Sequence, residues 1–131
     1  MHLTILDDNA LDHMILEKML SKLNNVSNDI VHYYHGSELL KTIEKSEDET
    51  FPDVLFLDLH MPDMDGWTFL KHLNRLKKNM HKKITVYVLS SSVDPVDINK
   101  SKRYTFVKDY LFKPISYEKL EKIFSSLNKP N

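Results

Sequence analysis

The sequence has no cysteine and only two glycines, Gly36 and Gly66, among its 131 residues. Without thiols there is no disulfide framework and no thiolate chemistry, which agrees with a reducing compartment. With glycine this scarce, no glycine-rich loop exists to cradle a nucleotide's phosphates on backbone amides. No apolar stretch approaches the ~20 residues that a membrane-spanning helix needs. The amino terminus, MHLTILDDNA, carries two acids where a signal peptide would be finishing its apolar core. The chain therefore reads as soluble and cytoplasmic.

Net charge is nearly absent too, at −1, but the two halves differ sharply. Residues 1–65 hold 4 Lys/Arg against 14 Asp/Glu, and residues 66–131 hold 14 against 5. The fold must bring these halves together. The densest basic run, KHLNRLKKNMHKK from Lys71 to Lys83, has no interleaved aromatics to stack on bases. It reads as a helical tail with its lysines in water, not as a nucleic-acid patch. A chain of this length, 41% hydrophobic and 28% charged, can bury a real core and is expected to be one domain over residues 1–131, with no room for a second.

What is present is an alternation of two periodicities. HLTIL (2–6), IVHYY (30–34), DVLFL (53–57), ITVYVL (84–89) and DYLF (109–112) have strand length and strand composition. Helical spacing follows each of them. Leu11, Ile15, Met19 and Leu23, with Leu16 and Leu20, predict a wide apolar stripe on a first helix. Leu39, Leu40 and Ile43 mark a second, and Trp67, Leu70, Leu73 and Leu76 a third. Val96, Tyr104 and Val107 weakly suggest a fourth; Tyr117, Leu120, Ile123 and Phe124 mark a fifth. Strand then helix, five times over, predicts a parallel sheet with helices on both faces.

In such sheets ligands bind outside the carboxyl ends of the strands, near the point where strand order reverses. At those ends stand Asp7-Asp8, Asp58, Ser90-Ser91-Ser92 and Lys113-Pro114. Three carboxylates gathered at one rim repel one another and need a cation, and an all-oxygen set selects Mg²⁺, with Mn²⁺ possible, over zinc. Such a metal keeps coordination positions open for an oxygen of a phosphoryl group. Lys113 would supply a point charge to that group and Ser90 a neutral hydrogen bond. Asp58 is then placed to be the carboxylate nucleophile that accepts it.

The motifs ILDDN, LFLDLHMPDMDG, VLSSS and DYLFKPIS, in this order and spacing, resemble those of response-regulator receiver domains of two-component signalling, over nearly the whole chain. The resemblance implies a flavodoxin-like doubly wound α/β fold, a five-stranded parallel sheet of order 2-1-3-4-5. It implies that Asp58 is the phospho-acceptor, Asp8 a direct metal ligand, Asp7 a ligand acting mainly through water, and the backbone carbonyl of His60 the remaining protein ligand. Ser90 and Lys113 would be the phosphate partners, and Tyr110 the aromatic that swings from exposed to buried as Ser90 is drawn in. Pro62 and Gly66 fit the loop after the acceptor, and the peptide before Pro114 is expected to be cis. The phosphoryl donor would be a sensor histidine kinase or a histidine phosphotransfer protein, and the signal would pass to a downstream protein through the surface of the fourth helix, fifth strand and fifth helix. The domain would be regulatory rather than an enzyme, catalysing only its own phosphoryl transfer and slow autodephosphorylation. Neither nucleic acid nor membrane is expected as a partner.

The sequence departs from that pattern in places. RYTFVKDY before the fifth strand is bulkier than the family's small-residue turn. Ser90 and Ser91 stand where Thr and Ala are usual, and His60 lies two residues past the acceptor, as either an exposed loop residue or an influence on hydrolysis. Asp63 or Asp65 reads as the cap of the third helix. DMDG is no calcium loop, since its glycine comes too early, and His32 with His35 is a weak metal pattern. One alternative is an aspartate-nucleophile phosphatase of the haloacid dehalogenase type, but that class needs a carboxylate where this chain has His60. Another is a receiver-like module that binds partners without being phosphorylated, but such a module is expected to have lost an acid or the lysine, and neither is lost. Because the chain ends near its fifth helix, at SLNKPN, no output domain is expected.

Overall fold

The computed structural model describes residues 2–23, 30–45, 51–78, 80 and 82–127. Within them, strands β1 (Leu3–Leu6), β2 (Ile30–Tyr33), β3 (Val54–Leu57), β4 (Thr85–Ser90) and β5 (Val107–Phe112) alternate with helices α1 (Ala10–Ser21), α2 (Gly36–Lys45), α3 (Gly66–Lys77), α4 (Pro95–Ser101) and α5 (Tyr117–Leu127). All strand pairs are parallel, in the order β2-β1-β3-β4-β5. This is the flavodoxin-like doubly wound sheet expected from the motifs.

Alternation of side chains along each strand builds two cores at once. Leu3 and Ile5, Val54 and Phe56, Tyr87 and Leu89 face one layer, where they pack with Leu16 and Leu20 of α1 and Leu120, Ile123 and Phe124 of α5. Leu6, Leu55, Leu57 and Val86 face the other, with Leu39 and Ile43 of α2 and Phe69, Leu70 and Leu73 of α3. Each Leu or Phe fully buried this way contributes roughly 1.5–3 kcal/mol, which is why these short runs are strands despite their length. A third, smaller cluster of Leu59, Val88 and Tyr110 lies at the carboxyl end of the sheet.

Two helices differ from expectation. On α1 the buried face is His13, Leu16 and Leu20, while Leu11, Met14 and Ile15 are exposed. The helix is apolar on both sides, so hydropathy could not say which stripe turns inward. The fourth helix stops at Ser101. Tyr104 and Val107, read as helical, belong to the turn before β5 and to β5 itself, because Tyr104 packs at a tilt against Phe106, ring centres 5.5 Å apart, and both join the α3-side core. The bulky segment thus fills space under the sheet that a small-residue turn would leave open. The basic run is also less uniformly solvated than expected. Lys77 places its ammonium 4.1 Å from the centre of the Phe106 ring, and Lys82 pairs with Asp53 at 3.3 Å. Residues 79 and 81 of that run lie outside the described residues.

Gly66 is required by a close approach. A Cβ there would lie 2.7 Å from the carbonyl oxygen of Asp58 and 2.8 Å from Leu59 Cα. Its amide donates to Leu59 O at 2.8 Å. The start of α3, capped by Asp65 accepting from Thr68 N, is therefore seated directly on the backbone that carries Asp58.

Candidate functional site

Strand order reverses between β1 and β3. The ladders run one residue past these strands, with Asp7 N donating to Tyr33 O at 3.1 Å and Asp58 N to Leu6 O at 2.9 Å. This sets both carboxylates side by side at the switch point. Asp7 and Asp58 are buried, at 3% and 6% exposure, and Asp8 is exposed. One oxygen from each of the three can be chosen so that all lie within 4.8 Å of one another. β4 and β5 end alongside, with Lys113 N donating to Ser90 O at 2.9 Å. The Lys113–Pro114 peptide is cis.

Lys113 reaches across the rim. Its Nζ lies 2.9 Å from Asp7 Oδ2, 2.9 Å from Asp12 Oδ2 and 3.4 Å from Asp58 Oδ1. Asp12 was not anticipated from the sequence. It sits in the first turn of α1, whose cap is Asn9, and only its spacing one helical turn beyond Asp8 hinted at the rim. A single ammonium facing several carboxylates leaves negative charge uncompensated. Burial and the charge of Asp7 push the Asp58 carboxyl up to about 6, against the pull of Lys113 and of the His60 backbone amide. Lys113 moves the other way. Burial alone would lower it, but hydrogen bonds to Asp7 and Asp12 and the charge of Asp58 hold it well above the ordinary lysine range. An oxygen-only, charge-excess donor set with one exposed member fits a hard divalent cation such as Mg²⁺ or Mn²⁺.

Ser90 is fully buried, and its Oγ accepts from Ser92 N at 3.1 Å. Tyr110 differs from its expected starting position. The structure shows it inward, at 8% exposure, donating from its hydroxyl to Ser92 O at 2.9 Å and packed with Leu59 and Val88. The loop carbonyl gives the phenol a partner and the cluster gives the ring an apolar seat, so the buried rotamer is satisfied at both ends. The His60 side chain is exposed, as is Ser91. The two histidines considered for metal turn to different partners, His32 Nε2 to Glu17 and His35 Nδ1 to Asp63, each at 3.3 Å. His13 was missed. It is buried behind the rim with Nε2 2.7 Å from Asp7 O and Nδ1 2.7 Å from His32 Nδ1. A carbonyl only accepts, so His13 donates to it through Nε2. Burial lowers its pKa and so favours the neutral ring, in which Nδ1 accepts from His32.

The family description "Response regulator receiver domain" matches residues 3–125. The sensor histidine kinase CheAY of Helicobacter pylori is 30% identical over 115 residues, which are 88% of this chain and 13% of that protein. The chain spans less than half the length of this and the next curated relatives, at 7% and 48%. Among solved structures, a response regulator receiver protein from Dyadobacter fermentans superposes with a TM-score of 0.80 at 24% identity, covering 95% of each chain. The Mn(2+)-bound form of response regulator Rcp1 does so at 0.77 and 21% identity, covering 100% of this chain and 98% of the other. Among the described residues no helix is long and apolar enough to cross a membrane.

Proposed function

The chain belongs to the response regulator receiver family of two-component signalling, and from that premise we propose that Asp58 accepts a phosphoryl group from a phosphohistidine of a sensor kinase or phosphotransfer protein. The observation that carries this reading is the charge imbalance around Lys113, whose ammonium lies within 3.4 Å of Asp7, Asp12 and Asp58 at once. A rim left with surplus negative charge is suited to a cation, and a cation with open positions is suited to phosphate.

Asp58 Oδ attacks phosphorus, the P–N bond of the donor imidazole breaks, and the imidazole leaves. Mg²⁺ or Mn²⁺, held by Asp7, Asp8, Asp58 and the His60 carbonyl, would when bound neutralise charge developing on the phosphoryl oxygens. Lys113, whose ammonium already lies beside Asp7 and Asp58, would screen the same charge, and the Ser90 hydroxyl would donate to the transferred group. Ser90 and Tyr110 then couple that bond to the surface of α4, β5 and α5. An approach for the donor is open beside the rim. Asp12, Ile15, Leu16, Leu89, Lys113, Pro114 and Ile115 line a cleft of about 270 Å³, and Leu11 and Met14, also on α1, are exposed.

The test is incubation with acetyl phosphate and Mg²⁺, with the phosphate located by mass spectrometry. Label on Asp58, lost in Asp58→Asn and on chelation, is expected. Equal labelling of Asp58→Asn would remove Asp58 from the role of nucleophile.

A further inference from the structure

A line of hydrogen bonds runs from the buried Ser90 to the outside of the domain through residues that the phosphorylation reading does not use. Ser92 N donates to Ser90 Oγ at 3.1 Å. Ser92 Oγ donates to Asp97 Oδ2 at 2.8 Å and accepts from Asp94 N at 3.3 Å. The other carboxylate oxygen of Asp97 accepts from Trp67 Nε1 of α3 at 3.2 Å. Lys100, one turn along α4, lies 5.7 Å from the Trp67 ring centre. Trp67 in turn packs with Ile98 against Leu59, Val88 and Tyr110. One carboxylate therefore joins α3, α4 and the loop that follows β4, with a different donor on each oxygen.

The consequence for Ser90 follows from donor counting. A hydroxyl has one proton to give. With the Ser92 amide occupying a lone pair on Ser90 Oγ, that proton is left to be directed at an acceptor, and the loop geometry fixing the Ser92 amide decides its direction. The same loop presents the Ser92 carbonyl that receives Tyr110. We propose that Asp97 is a positioning residue for the phosphorylation site: by clasping Ser92 and Trp67 together it holds the Ser90–Ser92 loop in the conformation that presents the Ser90 hydroxyl to Asp58 and the Ser92 carbonyl to Tyr110, so that occupancy of Asp58 is read out at the α3–α4 contact. This rests on the phosphorylation reading of Asp58 and adds the route by which that event leaves the site. Asp97 also lies in the first turn of α4, whose cap is Asp94, and Ser92 stands just before that cap. Were that all Asp97 does, Trp67 would not matter to the site.

The test uses beryllofluoride with Mg²⁺ as the phosphoryl mimic on the parent, Asp97→Asn, Trp67→Phe and the double variant. Asparagine keeps the shape but offers one acceptor oxygen instead of two, and phenylalanine keeps the ring packing but has no N–H. Affinity is measured by calorimetry. In the parent and Asp97→Asn, the indole N–H resonance of Trp67, the only tryptophan, is followed by NMR. The parent indole resonance is expected to shift on binding, and that shift to vanish in Asp97→Asn. Each single variant is expected to bind roughly fivefold more weakly, with the double variant no weaker than the worse single one, because one clasp is broken in every case. Undiminished affinity in either single variant, a surviving indole shift in Asp97→Asn, or losses that multiply in the double would overturn the proposal. Should Asp97→Asn fail to fold, Trp67→Phe decides alone. A parent that does not bind beryllofluoride would overturn the phosphorylation reading itself, an outcome distinct from a parent that binds while its variants bind equally well.

Discussion

Strand β3 carries an aspartate at each end, and each has a lysine at nearly the same distance: Asp53 with Lys82 at 3.3 Å and Asp58 with Lys113 at 3.4 Å. The two carboxyls nevertheless move in opposite directions. Burial would raise Asp53, but the His2 amide at 2.6 Å and Lys82 outweigh it and the carboxyl is held below its ordinary value. At Asp58, burial and the charge of Asp7 outweigh Lys113, and the carboxyl rises to about 6. What separates them is the company each lysine keeps. Lys113 divides one charge among Asp7, Asp12 and Asp58. The amino end is a clip that holds the fold. The carboxyl end is held short of neutrality, which costs stability and leaves a place for a cation.

The largest difference should appear when the lysines are removed. Lys113→Met strands a buried carboxylate cluster and should cost about 3–5 kcal/mol in urea denaturation at neutral pH with chelator present. Lys82→Met should cost about 1 kcal/mol or less. Similar losses would mean that the two ends are electrostatically alike.

Neutralising the acids should give opposite signs. The folded pKa of Asp58 lies above its unfolded value, so its share of stability is present in full below about pH 4 and is lost as pH rises through about 6. Asp58→Asn should therefore stabilise the metal-free protein at pH 8, by about 3 kcal/mol at most. Asp53 has a depressed folded pKa, so its contribution stands at neutral pH and fades as acid is added. Asp53→Asn should destabilise by about 1 kcal/mol. Two shifts of the same sign at pH 8 would refute the contrast.

Mg²⁺ sharpens it further. Asp8→Ala should weaken Mg²⁺ binding, followed by Trp67 fluorescence, by roughly tenfold or more, whereas Asp63→Ala, in the loop beside His35, should leave it nearly unchanged. Equal weakening would dismiss Asp8 as a ligand. The smallest effect belongs to Lys77, at the amino end of the sheet. Burial lowers its pKa while the Phe106 face attracts its charge. These terms oppose, and Lys77→Met should fall within about 0.5 kcal/mol of the parent; a loss above about 1 kcal/mol would show that the cation–ring contact dominates.

The strands and the rim acids were legible because both obey local rules: short apolar runs must be buried on two faces, and the residue after each run must emerge at the same edge. Asp7, Asp8, Asp58, Ser90 and Lys113 could be assigned to one rim from the alternation alone. The inward face of α1 could not, since Leu11, Met14 and Ile15 are as apolar as the residues that turn in. Nor could the end of α4, where packing of Tyr104 and Phe106 under the sheet overrode a faint helical spacing. Asp12, His13 and the reach of Asp97 to Trp67 escaped for a different reason. Tertiary closure brings those partners close, as when Lys113 meets Asp12 from 101 positions away, Trp67 meets Asp97 from 30 and His32 meets His13 from 19, and no short window along the chain contains both members of such a pair.

The strand order has a consequence for the molecule as an electrical object. β2, β1 and β3 come from the acidic first half of the chain, and β4 and β5 from the basic second half. The two halves of the chain meet where β3 pairs with β4, in a sheet about 19 Å wide by the strand spacing. A net separation of their charges along that width would be a permanent dipole moment across the strands. In an external field, or in the field of a charged protein surface, the domain experiences a torque before it touches anything, and it approaches already turned. Near-zero net charge conceals this from any measurement that sees only the monopole. A dielectric relaxation measurement or a strong salt dependence of association rate would reveal it.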